Sequence, residues 1–110
     1  MKPKWKAYIA HILDAIEEIL AYKTAHTHDQ FLNSPWDQSA VIRHLEIIGE
    51  ASSQIDQSIK DMYPSIPWRR MSGFRNVLIH EYFAVDPHLV WEVLEKDIPE
   101  LQKELNKIDQ

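Results

Sequence analysis

Cysteine is absent from this 110-residue chain, and glycine occurs only twice. Without cysteine there is no disulfide framework, no thiol nucleophile and no Cys-based zinc or iron–sulfur site. Hairpin turns and phosphate-cradling loops both rely on the positive-φ conformations that glycine adopts without strain. Two glycines therefore exclude Walker-type and Rossmann-type nucleotide sites. No run approaches the ~20 apolar residues of a membrane span. The opening MKPKWKAYIAHILDAIEEIL is amphipathic, not a signal peptide, so no membrane association is expected and the cytoplasm is the expected compartment. What is abundant is Leu, Ile, Ala, Glu and Lys, with little Val or Thr, a composition that reads as all-helical.

The length suits one domain over residues 1–110, able to bury roughly two-thirds of the surface its unfolded form exposes. The formal charge of −5 argues against broad, non-specific nucleic-acid binding. The charge is uneven, however. Three of the four arginines, Arg69, Arg70 and Arg75, fall in one seven-residue window, whereas Asp86 to Gln110 holds seven acids against three lysines. An anion-binding surface is expected at that window.

Apolar residues from Trp5 to Leu20 recur at i, i+3, i+4 and i+7, predicting a first helix over about 5–22. Thr27 with Gln30 three residues on resembles a capping box, predicting a short helical turn at 28–33. Pro35-Trp36-Asp37 restarts the chain, and Val41, Leu45, Ile48 and Ile55 mark a long helix over about 37–58. Gly49 inside it predicts a close helix–helix approach. After a linker holding Pro64 and Pro67, a third helix is expected over 67–80. Asp86-Pro87 is a strong fourth start, and Pro99 should kink or restart that last helix. The expected fold is all-α: an antiparallel four-helix bundle with a short extra helix and a kinked C-terminal helix.

Within 67–83 a bundle needs only the apolar set Trp68, Met71, Phe74, Leu78 and Ile79. It leaves Arg75, Asn76, His80 and Tyr82 unexplained. Asn76 and His80, four apart, share a helix side, whereas about 140° separates Arg75 from His80. Arg75 and His80 could close around a ligand, or across a two-fold axis from a second copy. Such a set supports metal-free phosphodiester cleavage. An imidazole titrating near neutrality can take a proton from a ribose 2′-hydroxyl or give one to the leaving oxygen. A guanidinium can hold phosphate oxygens with two aligned donors. The alternative is plain: a helix-end His and Arg paired with carboxylates such as Glu50 or Glu81.

The run Arg75-Asn76-Val77-Leu78-Ile79-His80-Glu81-Tyr82 resembles the Arg-x4-His-x-Tyr motif of HepT-like toxins, members of the HEPN superfamily. Residues 40–51, Pro67-Trp68-Arg69, Met71-x-Gly73, Val85-Asp86 and Val90-Trp91 resemble that family's pattern in the same order, so the likeness covers essentially the whole chain. The resemblance implies a homodimeric ribonuclease toxin of a toxin–antitoxin pair; no cofactor is expected. It implies that Arg75 and His80 of both subunits line an RNA cleft at the dimer interface. It also implies an MntA-like nucleotidyltransferase antitoxin that silences the toxin by transferring AMP to Tyr82. A modified Tyr82 would set bulk and charge beside Arg75. Asn76 matches the polar residue that often follows the motif arginine.

Around this set, Glu50 is a candidate carboxylate for orienting Arg75, and Arg69 and Arg70 are candidates for contact with the RNA backbone. His26-x-His28, and the face of His11, Asp14 and Glu18, are weaker candidates for a cation, and no metal is assigned. Trp5, Trp36, Trp68 and Trp91 read as core or interface anchors. A reading of another class is a non-catalytic helical module that binds a nucleotidyltransferase or a nucleotide.

Overall fold

The computed structural model describes residues 3–80 and 86–108, the stretch 76–80 by its helical backbone alone. All the regular structure among them is helical: α1 (Lys4–Ala25), α2 (His28–Leu32), α3 (Pro35–Ser53), α4 (Gln57–Met62), α5 (Trp68–His80), α6 (Pro87–Glu92), a π-helical turn (Val93–Asp97) and α7 (Ile98–Leu105).

The starts follow from side-chain oxygens meeting orphan backbone donors. At α2 the capping box is present: the Gln30 amide donates to Thr27 Oγ1 at 3.1 Å, and the Thr27 amide donates to Gln30 Oε1 at 2.8 Å. Ser34 Oγ accepts from the Asp37 amide at 3.2 Å to open α3, with Pro35 in the first turn. Asp86 Oδ1 accepts from the His88 amide at 2.9 Å to open α6, with Pro87 in its first turn. Pro67 stands just before α5, its carbonyl accepting from the Met71 amide at 3.1 Å.

One expectation is corrected. The helix expected over 37–58 ends at Ser53. The Gln54 and Ile55 amides turn back to the Ala51 and Ser52 carbonyls, and a separate α4 begins after Asp56. Ser52, Ser53 and Asp56 are poor interior residues because their side chains compete for the backbone, and the tightened turn puts Ile55 into the core. The kink or restart expected at Pro99 is met by a restart: α7 opens at Ile98 with Pro99 in its first turn, directly after the π-helical turn. Pro99 has no N–H to give and its ring crowds the preceding turn. The Ile98 amide reaches five residues back to the Val93 carbonyl, and the widened turn makes room.

α3 is the central element: it packs against α1 on one side and α5 on another, while α7 lies against α1. One apolar cluster joins them, with Ile9, Ile12, Ile16 and Ile19 of α1 against Val41, Leu45 and Ile48 of α3. Met71 and Phe74 of α5 and Leu94, Ile98, Leu101 and Leu105 of the C-terminal segment complete it. Each such side chain contributes about 1.5–3 kcal/mol by leaving water. No helix of the described residues is long and apolar enough to cross a membrane.

Candidate functional site

The contact between α3 and α5 decides where Arg75 stands. A methyl group placed on Gly49 would lie 2.6 Å from the Arg75 backbone nitrogen and 2.8 Å from its Cβ. The two helices meet there at a distance only glycine permits. One turn on, the buried Ser52 Oγ lies 3.3 Å from Ser72 Oγ, so small residues continue the close seam.

On the rim of this seam the Arg75 guanidinium is held from two sides. Its Nε donates to Glu50 Oε2 at 3.0 Å, and its Nη1 donates to Ser53 Oγ at 3.4 Å. Gln54 Nε2 donates to the other Glu50 oxygen at 3.4 Å, extending the polar chain along α3. The Arg75 and Glu50 side chains are 42% and 53% exposed, so the guanidinium is oriented without being withdrawn from solvent. Only two of its donors are engaged in these contacts, and a guanidinium with donors to spare can hold a phosphate.

Asn76 and His80 occupy successive turns of α5, and their side chains lie outside the described residues. Tyr82 and Glu81 also lie outside them. Arg69 is exposed near the start of α5. Arg70 is engaged: its Nη2 donates to Asp97 Oδ2 at 2.7 Å, tying α5 to the π-helical turn.

The weaker candidates separate. His26 stacks on Tyr22 and its Nδ1 meets the Tyr22 carbonyl at 2.9 Å, whereas His28 stacks on Trp91 at 5.3 Å between ring centres. Glu18 is paired with His44 of α3, not with His11 or Asp14. Among the described residues no three His, Asp or Glu side chains converge as cation ligands. Trp68 and Trp91 are core anchors and Trp5 is partly buried, but Trp36 is 84% exposed and is no core residue.

Ser53 was not anticipated from the sequence. Its signal was present: it lies four residues after Gly49 and three after Glu50, on the same side of a helix already expected to touch a neighbour.

The described residues thus make an all-α protein that holds an oriented, half-exposed guanidinium five residues before a histidine. The chain belongs to the ribonuclease HepT-like family, whose model matches residues 12–108. It is 43% identical over 108 residues to the "Probable ribonuclease HepT" of Thermococcus cleftensis, covering 98% of each chain. A Methanocaldococcus jannaschii protein named "Putative RNase MJ1380" is 38% identical over 100 residues, 91% of this chain and 92% of that one. Another protein of that organism, named as both a gamma-glutamylcyclotransferase and a putative RNase, is 44% identical over 98% of this chain. The present chain spans about half of that relative, 49% of its length. No solved structure matches the chain.

Proposed function

We propose that this protein is a cytoplasmic, metal-independent ribonuclease toxin whose active cleft forms between two copies of the chain. Support comes from one observation above others: Arg75, at the family's motif position, is locked against α3 by Gly49 and oriented by Glu50 and Ser53 while still open to solvent.

In this reading Arg75 holds the non-bridging oxygens of the scissile phosphate. One His80 takes the proton from the ribose 2′-hydroxyl, whose oxygen attacks phosphorus. The second His80 gives a proton to the departing 5′ oxygen, leaving a 2′,3′-cyclic phosphate and a free 5′-hydroxyl. A two-fold dimer supplies base and acid from one residue type. Asn76 orients the imidazole from the adjacent helical turn, and Glu50 keeps the guanidinium in place. Arg69, and Arg70 where it stays exposed beside Asp97, contact the RNA backbone on approach.

Silencing falls to a nucleotidyltransferase antitoxin of the MntA type. The Tyr82 phenol oxygen attacks the α-phosphate of a nucleoside triphosphate, pyrophosphate leaves, and the attached AMP sets a phosphate where RNA should approach Arg75. The chain's net charge of −5 and the exposed Trp36 favour a second reading, a non-catalytic module that docks on such a partner.

The deciding experiment expresses the wild type beside His80→Ala and Arg75→Ala without any partner, following growth and RNA integrity together. Each substitution should reduce cleavage by about 10²–10⁴-fold with an unchanged helical spectrum, and excess EDTA should leave wild-type cleavage intact. Equal cleavage by His80→Ala refutes the assigned roles, and a harmless wild type that leaves RNA intact favours the second reading.

A further inference from the structure

Beside Arg75 lies a groove that the proposed chemistry leaves unused. It runs between α1 and α3 and has a volume of about 360 Å³. Its floor is apolar and low, because buried Ala15 and Ala51 line it next to half-buried Ile47, and Tyr8 of α1 closes one wall. Most of its polar groups are already paired, Arg43 among them with Glu46. Glu18 is engaged by His44, and Glu50 by Arg75 and Gln54. Asp14 and His11 line the same groove, are exposed, and among the described residues their side chains enter no hydrogen bond or ion pair.

Three carboxylates and three basic side chains line the groove, but Arg43 is paired with Glu46 and His44 with Glu18, so no unpaired arginine or lysine of the described residues meets a phosphate there. A flat heterocycle fits better: it can lie on the apolar floor beside an aromatic ring while a carboxylate accepts from its edge. A carboxylate matches two adjacent N–H donors, and among the RNA bases guanine offers that pair at N1 and its exocyclic amine. Glu50 belongs both to the groove wall and to the Arg75 ion pair, so a nucleotide phosphate on the guanidinium has the groove immediately alongside.

We infer that the α1–α3 groove is a nucleobase subsite that selects guanine next to the cleaved phosphate, with Asp14 as the edge acceptor. The inference rests on Arg75 holding the scissile phosphate.

The test uses the intact chain and oligoribonucleotides with one cleavable linkage flanked in turn by each of the four bases. Cleavage by the wild type should favour a neighbouring guanine over uracil by about tenfold, the scale of a two-point base contact. In Asp14→Asn, whose amide confronts guanine with a donor, the ratio should fall toward one. Cleavage indifferent to the flanking base, or a guanine preference that survives Asp14→Asn, overturns the subsite and leaves the ribonuclease reading standing. If the wild type cuts no RNA, the ribonuclease reading fails and the groove is judged separately by amide NMR titration with GMP against UMP. Shifts at Tyr8, Asp14 and Ile47 specific to GMP support the subsite, and their absence overturns it.

Discussion

Arg75 carries most of the argument at the scale of single residues, and its environment separates stability from activity. The Arg75–Glu50 pair is about half exposed, so it contributes no more than about 1 kcal/mol to folding. Glu50→Gln should therefore leave the melting temperature nearly unchanged. Cleavage should fall by about tenfold to a hundredfold, because a guanidinium released from its orienting acceptor meets the phosphate in many geometries. Parallel circular-dichroism melts and initial rates of RNA cleavage check both halves. Tyr22 offers a pH signature elsewhere. Burial first, then the hydrogen bond to Asp37, pushes its phenol from 10.0 up to about 12. The fold thus prefers the neutral phenol. Its contribution is intact below pH 10 and is lost as the pH rises toward 12. Tyr22→Phe should cost about 1 kcal/mol at neutral pH through the lost hydrogen bond and should flatten the loss of stability above pH 10, read from urea midpoints across that range.

Between elements, the two glycines make opposite predictions from one substitution. In Gly49→Ala the new methyl meets the Arg75 backbone and Cβ, neither of which can swing aside, so α3 and α5 must part. The expected cost is about 1–3 kcal/mol despite alanine's better helix propensity, with a displaced Arg75 and reduced cleavage in the molecules that fold. At Gly73 a methyl finds nothing within 4 Å, so Gly73→Ala should stabilise α5 by up to about 1 kcal/mol. Urea denaturation of the pair measures both signs. The close approach at Gly49 was legible because a glycine inside an amphipathic helix usually has a packing reason. That its partner would be the backbone of Arg75 was not, since sequence spacing within one helix says nothing about which turn of another it meets. The break after Ser53 was missed for a related reason: the apolar period runs on through Ile55, and only the tightened turn shows that Ile55 is buried from outside the helix.

For the whole molecule the decisive quantity is the number of chains in the active unit. If both imidazoles of a dimer act in one cleft, a mixed dimer holding a single His80 lacks either its base or its acid. Wild type re-equilibrated with His80→Ala should then lose activity as the square of the wild-type fraction, whereas independent sites in each subunit would lose it in direct proportion. Cleavage rates across a mixing series at fixed total protein separate the two. The chain's overall negative charge sets the context: in the proposed reading, RNA is attracted locally by the arginines of α5 against a molecule that repels it elsewhere.

The order of residues alone determined the helical class, most helix starts, the core stripes and the polar set at 75–82, because capping and 3.6-residue periodicity are local properties. The family too was legible there, since its motif is contiguous. Only the tertiary structure decided that Glu50 and Ser53 clamp Arg75, that Arg70 is tied to Asp97, and that a groove opens between α1 and α3 beside them. Those facts depend on which turns of different helices come to face one another, and packing of the assembled core sets that.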